Sequence, residues 1–326
     1  MTTNAVDRRW AHELTPEART RLRELHRIER WRLLKIPAFF AACFGSTAIA
    51  AWSASVWPAA PCCILAGFCL HGLGVFMHEG GHGNLTRNVG IDRLVGFLCG
   101  LPAGVSCSNY RATHELHHRF ENTDADPDNM AARFPSSGLR SLVYYAWFFV
   151  GTPVYALFLM LTGPFRAAGW REKTLCIVET VLILAFHYLL VTVWLDGAAL
   201  NAWLGTLAAA SIIANVRGLA EHTLLPQSAP ANPFRSTRST VSNRVVSFFF
   251  NNQNYHLEHH LFPRAPWYNL PALHALLESS YRDQQAAVCG GYLDYLATAI
   301  LRGPMHETRY GTGVAASFNP PLSKDS

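Results

Sequence analysis

Four apolar runs decide what this chain can fold into. Residues 37–57, 61–77, 174–195 and 198–216 are each close to the ~20 residues a helix needs to cross the hydrocarbon core of a bilayer. In hydrocarbon every backbone N–H and C=O must be paired within the protein, and for separate runs of this length the α-helix does that. Composition agrees: half of the 326 residues are hydrophobic and 15% are charged, against roughly 25% in a soluble chain. An all-α integral membrane protein is expected.

Charge orients the runs. Residues 1–35 carry nine Arg or Lys and five Asp or Glu, a local +4 out of the chain's +5. A second basic group is Arg166, Arg171 and Lys173. Such clusters beside spans mark the cytoplasmic side. Two crossings after the N-terminus return the chain to the cytoplasm at His78, and the pair 174–195 and 198–216 returns it there at His222. By parity, 141–163 should then not cross, and its Gly151-Thr152-Pro153 suits two half-depth segments. The shorter apolar piece 94–105 is expected at the interface. The outcome is four transmembrane helices with a cytoplasmic helical cap. Residues 15–35, with Thr15 as N-cap, Pro16 at the first helical position and Leu22, Leu25, Ile28 and Trp31 on one stripe, read as a basic amphipathic helix in the headgroup plane. The division expected is a basic amphipathic segment 1–36, a membrane domain with its cap 37–302, and a tail 303–326. Nothing resembles a basic face interleaved with base-contacting side chains, so no nucleic-acid partner is expected.

The chemistry lies in three histidine clusters: His78 and His82; His114, His117 and His118; His256, His259 and His260. Within each, the spacing is i, i+3 or i+4, which puts the imidazoles on one helix face. Neutral imidazole is the commonest metal ligand. Eight facially spaced imidazoles exceed the four ligands of a structural zinc. They suit two ions of higher coordination number, with iron favoured over copper or zinc for a nitrogen-rich site with open positions. Carboxylates flank the ligands at Glu79, Glu115, Asp124, Asp126, Asp128, Glu221 and Glu258, placed to accept the second N–H of bound imidazoles. His71, two turns before His78, is expected in a supporting role, and His187 as a polar contact between helices. Arg87, Arg111, Arg119 and Arg133 are candidates for an anionic substrate head group or for interfacial anchors. None of the eight cysteines forms a Cys-x-x-Cys pair, so neither an iron–sulfur site nor a zinc ribbon is indicated.

One rival reading starts from His78-Glu79-Gly80-Gly81-His82, which matches the zinc-protease pattern His-Glu-x-x-His with Glu79 as base. A third ligand would be Asp196 in Leu195-Asp196-Gly197. By parity that turn lies on the opposite face, ~30 Å away, and the other histidines would stay unexplained.

The motif His78-x3-His82, His114-x2-His117-His118 and His256-x2-His259-His260 resembles the three histidine boxes of the membrane fatty acid desaturase superfamily. Asn122-Thr123-Asp124-Ala125-Asp126-Pro127-Asp128, Asn254-Tyr255-His256 and Leu261-Phe262-Pro263 are similar to the family's flanking sequence. The resemblance implies a di-iron centre at the cytoplasmic face and O2-dependent desaturation of a fatty-acyl chain. It also implies a further histidine ligand at the end of the last span, where His222 stands. Hydroxylases, carotenoid-modifying oxygenases and alkene-forming decarboxylases share the boxes. The first box has three intervening residues where animal acyl-CoA desaturases have four, and the third begins with His256 where many front-end desaturases have Gln. No His-Pro-Gly-Gly haem motif is present. Electrons are therefore expected from a separate ferredoxin, rubredoxin or cytochrome b5-like donor and its reductase.

Overall fold

The computed structural model describes residues 14–129, 133, 134, 136–225 and 232–303. In chain order the elements are α1 (Pro16–Leu25), α2 (Lys35–Trp52), α3 (Val56–His82), α4 (Val89–Gly100), α5 (Cys107–Phe120), α6 (Ser137–Arg166), α7 (Gly169–Leu189) and α8 (Gly197–His222). There follow α9 (Pro233–Ser236), β1 (Arg238–Thr240), α10 (Arg244–Phe249), α11 (His256–Leu261), α12 (Leu270–Gln284), β2 (Ala287–Cys289) and α13 (Tyr292–Arg302). The chain is a multi-pass membrane protein, and among the described residues five helices are long and apolar enough to cross: Arg30–Trp52, Val56–His82, Ser137–Arg166, Gly169–Trp194 and Gly197–His222.

The helix absent from the expected four is α6. The sequence suggested two half-depth segments around Gly151-Thr152-Pro153, yet α6 runs unbroken through them. α8 supplies polar contacts to the turn that precedes Pro153. Asn215 donates its Nδ2 to the Phe148 carbonyl at 3.1 Å, and its Oδ1 accepts from the Thr152 hydroxyl at 2.7 Å. Gly151 sits against the same asparagine, where a Cβ would fall 2.7 Å from Asn215 Oδ1. The amphipathic segment is also shorter than expected. Thr15 Oγ1 accepts from Ala18 N at 3.2 Å and starts α1, but α1 stops at Leu25, and a 3-10 turn over Arg30–Leu34 leads into α2.

The chain forms two compact units. One comprises residues 28–115 and 146–215 and holds α2 to α4, most of α5, the longer parts of α6 and α8, and all of α7. Small residues bring its helices together, as membrane packing requires. Gly67 of α3 faces Ala209 of α8, where a Cβ would stand 2.6 Å from the alanine methyl. Thr47 and Thr206 hydroxyls meet at 3.0 Å. α4 and α5 form a pair bent by 102°. The turn between them uses Gly104 at φ +73°, a left-handed conformation that glycine adopts without strain.

The other unit comprises the described residues within 14–27, 116–145 and 216–303. Its core joins Leu22 and Leu25 of α1 to Phe234, Leu257, Leu261, Phe262, Leu270, Leu273 and Leu277. β1 and β2 pair in parallel, Arg238 opposite Ala287 and Thr240 opposite Cys289. Arg238 is 1% exposed. Its guanidinium donates to the carbonyls of Ala220 (2.5 Å), Thr223 (3.2 Å) and Leu224 (3.3 Å). These are carbonyls at and beyond the end of α8 that have no partner within a helix, so the arginine fixes how that end, with His222, is held.

Candidate metal centre

Each unit gathers its own set of imidazoles. In the first, the last turn of α3 presents His78 and His82, and α5 presents His114. The ring centroids are 4.6 Å apart for His78 and His82, 4.9 Å for His78 and His114, and 5.0 Å for His82 and His114. Their ligand atoms lie within 4.8 Å of one another. The Nε2 atoms of His78 and His114 approach to 3.1 Å. On the outer side, His78 Nδ1 lies 3.2 Å from Glu79 Oε1 and His114 Nδ1 lies 3.2 Å from the Tyr110 hydroxyl. One nitrogen of His78 and one of His114 is thus oriented by a neighbour while their Nε2 atoms turn on each other, the arrangement metal-bound histidines adopt.

Local packing sets the α3 turn. Asp92, wholly buried, accepts from the backbone N–H groups of Thr86 (2.7 Å) and Arg87 (3.2 Å) and from the Thr86 hydroxyl. This ties the loop after the first box to α4. Gly80 makes close approach possible, since a Cβ there would lie 2.5 Å from the Asp92 carbonyl and 2.8 Å from Gly96 Cα.

In the second unit, the set is larger. His117 and His118 come from the end of α5, His222 from the end of α8, and His256, His259 and His260 from α11. His117, His222 and His260 have ligand atoms within 4.8 Å of one another, as do Glu221, His222 and His256. His256 Nε2 lies 3.0 Å from His222 Nε2 and 3.2 Å from His260 Nε2, and His259 Nε2 lies 3.2 Å from His118 Nε2. Three Nε2 atoms turned on one another cannot all be satisfied by the single proton each neutral ring carries. A shared cation satisfies them, so the donor set fits metal.

The outward nitrogens again meet acids. His117 Nδ1 lies 2.9 Å from Asp126 Oδ1 and 3.8 Å from Asp128 Oδ2. His260 Nδ1 lies 3.0 Å from Glu121 Oε2. Burial, with the surrounding imidazoles, holds His260 well below its usual pKa, in the neutral form that binds metal. Burial pushes the Glu121 carboxyl up to about 8.

Of the flanking acids, Glu79, Asp126 and Asp128 stand at imidazoles. Glu221 receives Arg217 at 2.8 Å and lies 3.6 Å from His256 Nε2. Glu258 faces away from the imidazole cluster. It is wholly buried and accepts from His274 Nδ1 at 2.5 Å and from the hydroxyls of Ser239 and Tyr281. Glu115 is exposed and paired with Arg111 at 2.9 Å, and Asp124 is exposed. His71 is buried. His187 bridges helices as expected, with Nδ1 at 3.0 Å from Ile183 O and Nε2 at 3.3 Å from Pro102 O. Asp196, the third ligand of the protease reading, caps the start of α8 by accepting from Ala199 N at 3.1 Å.

The candidate head-group arginines divide. Arg111 is engaged by Glu115 and, at 3.5 Å, by Glu172. Arg87 donates to Asn84 Oδ1 at 3.0 Å, and Arg133 donates to the Pro127 carbonyl. Arg119 is exposed. Sequence reasoning missed Glu121, Tyr110, Tyr281 and His274. Glu121 carried a readable signal, because it follows His117 by four residues.

The family model for fatty acid desaturases matches residues 54–291. A beta-carotene ketolase from Paracoccus sp. (strain N81106 / MBIC 01143) is 29% identical over 62% of this chain and 73% of its own length. An sn-1 oleoyl-lipid 12-desaturase from Picosynechococcus sp. is 26% identical over 80% of each chain. An acyl-lipid (8-3)-desaturase from Thraustochytrium sp. is 22% identical over 77% of this chain and 63% of its own length.

Proposed function

The chain belongs to the fatty acid desaturase family, and on that premise we propose that it is an O2-dependent oxidoreductase that introduces a double bond into a fatty-acyl lipid chain. The nine imidazoles of His78, His82, His114, His117, His118, His222, His256, His259 and His260 would hold two iron ions. The observation that carries this is the inward turn of Nε2 atoms in both sets, with carboxylates or a tyrosine on the outward nitrogens of His78, His114, His117 and His260. α5 contributes to both sets, His114 to one and His117 and His118 to the other. Iron bound there would supply the activation of dioxygen that an unactivated C–H bond requires.

The protein's own work is placement. Glu79, Asp126 and Glu121 fix ring orientation and tautomer. Apolar helices such as the one that carries His78 and His82 would give a hydrocarbon chain a water-free approach. Two hydrogens leave adjacent carbons, and dioxygen becomes two waters with two electrons and two protons from outside. Those electrons come from a separate ferredoxin, rubredoxin or cytochrome b5-like protein and its reductase. The basic N-terminal segment, two candidate crossings before His78, supports a cytoplasmic site.

Similarity to beta-carotene ketolases favours a second reading, insertion of oxygen into a lipophilic substrate. Mass spectrometry of lipids from cells expressing the chain separates the two. Loss of two hydrogens from an acyl chain is expected, and a product that gains oxygen overturns the desaturase reading in favour of the second.

A further inference from the structure

Glu179 stands in the middle of α7, one of the helices able to cross the membrane, and is 6% exposed. An ionisable side chain at such a position is costly unless its partners are built in. Here they are. Glu179 Oε2 accepts from the Ser106 hydroxyl at 2.7 Å and from Ser108 N at 2.9 Å, and Oε1 accepts from the Ser108 hydroxyl at 2.5 Å. All three donors belong to the start of α5. Ser106 is its N-cap, with its Oγ also accepting from Asn109 N at 3.1 Å. A carboxylate borrowed from another helix therefore serves the second N–H of α5 directly and the third through Ser106. Negative charge is favoured at such a helix start.

The same stretch of α7 holds the turn from further points. Asn109 Nδ2 donates to Thr180 Oγ1 at 2.8 Å and to the Cys176 carbonyl at 3.2 Å. His187 reaches the Pro102 carbonyl, and Glu172 binds Arg93 at 2.7 Å and Arg111 at 3.5 Å. These contacts fix the bent α4–α5 pair along one helix. His114 lies seven residues into α5, about 10 Å along its axis at 1.5 Å per residue. A helix passes any shift or rotation of its start to His114, in the same unit.

We propose that Glu179 is a positioning residue for the metal centre, holding the start of α5 in the register and rotation that aim His114. The inference rests on the di-iron reading above. Glu179→Gln keeps the shape but replaces one acceptor oxygen by a donor that faces serine or backbone N–H groups. Ser108→Ala removes a single hydroxyl and leaves the carboxylate, so it tests the same contact with less risk to folding.

The experiment compares purified full-length wild type, Glu179→Gln and Ser108→Ala. It measures iron retained under a fixed chelator challenge, the Mössbauer spectrum, kcat and KM. Both variants should lose iron at least about tenfold faster than wild type, show altered Mössbauer parameters, and lose kcat with KM within about threefold. Glu179→Asp, which retains the charge, should recover part of the iron retention. Wild-type iron retention and spectrum in Ser108→Ala, or in a folded Glu179→Gln, overturn the inference even if thermal stability falls. A wild-type chain that binds no iron overturns the di-iron reading and the inference with it, whereas normal wild type beside unaltered variants overturns the inference alone.

Discussion

Two adjacent glycines inside the first histidine box should respond oppositely to the same substitution. Both lie on α3, so Gly→Ala gains helix propensity at each, about 0.8–1.0 kcal/mol. Their surroundings differ. A methyl at Gly81 meets Arg111 Cβ at 3.8 Å, ordinary contact. A methyl at Gly80 meets the Asp92 carbonyl at 2.5 Å and Gly96 Cα at 2.8 Å. Those are backbone atoms and cannot rotate aside, so α4 must move away from α3. Overpacking of this kind costs about 1–3 kcal/mol. Propensity cancels between the two variants, so Gly80→Ala should be about 1–3 kcal/mol less stable than Gly81→Ala. The displacement falls between His78 and His82, so iron retention should suffer as well. Thermal unfolding in detergent and iron per chain after dialysis measure both effects. Equal stability and equal iron in the two variants would refute the reasoning, because it would mean that α3 and α4 do not approach at Gly80.

Arg238→Met should be severely destabilising, since three carbonyls near the end of α8 lose a charged donor and such bonds are worth about 1.5–3 kcal/mol each; yield of folded protein on size exclusion reads it. His259→Ala should abolish substrate oxidation while leaving helical content by circular dichroism unchanged. At His274, burial opposes protonation, but the Glu258 hydrogen bond and charge outweigh it and raise the pKa. A raised pKa gives stability that is full below the unfolded value and is lost as pH rises through the folded one. The melting-temperature gap between wild type and His274→Gln should therefore be widest near about pH 6 and narrow above the raised pKa, since an unperturbed histidine titrates at ≈ 6.5; a gap independent of pH would count against it.

Periodicity carried much of what was legible in the sequence. Imidazoles at i, i+3 and i+4 are a local pattern, and the structure keeps His114, His117 and His118 on one helix and His256, His259 and His260 on another. His222 had no such pattern and came from the resemblance. Hydrogen bonds between distant elements were less readable. Glu258 sits in the third box yet turns to Ser239, Tyr281 and His274, an arrangement decided by how α11 packs on α12 and β1. Gly151-Thr152-Pro153 looked like a break because a sequence cannot show that Asn215 waits on α8. Glu179 was the opposite case. A single carboxylate inside an apolar run is a visible signal, and the run was read for its length alone.

Metal analysis of the purified full-length protein tests the central claim most directly. Two iron ions per chain are expected, falling in the His259→Ala variant. A single tightly held zinc, unaffected by that substitution, would contradict the claim and return His78, Glu79 and His82 to the protease reading.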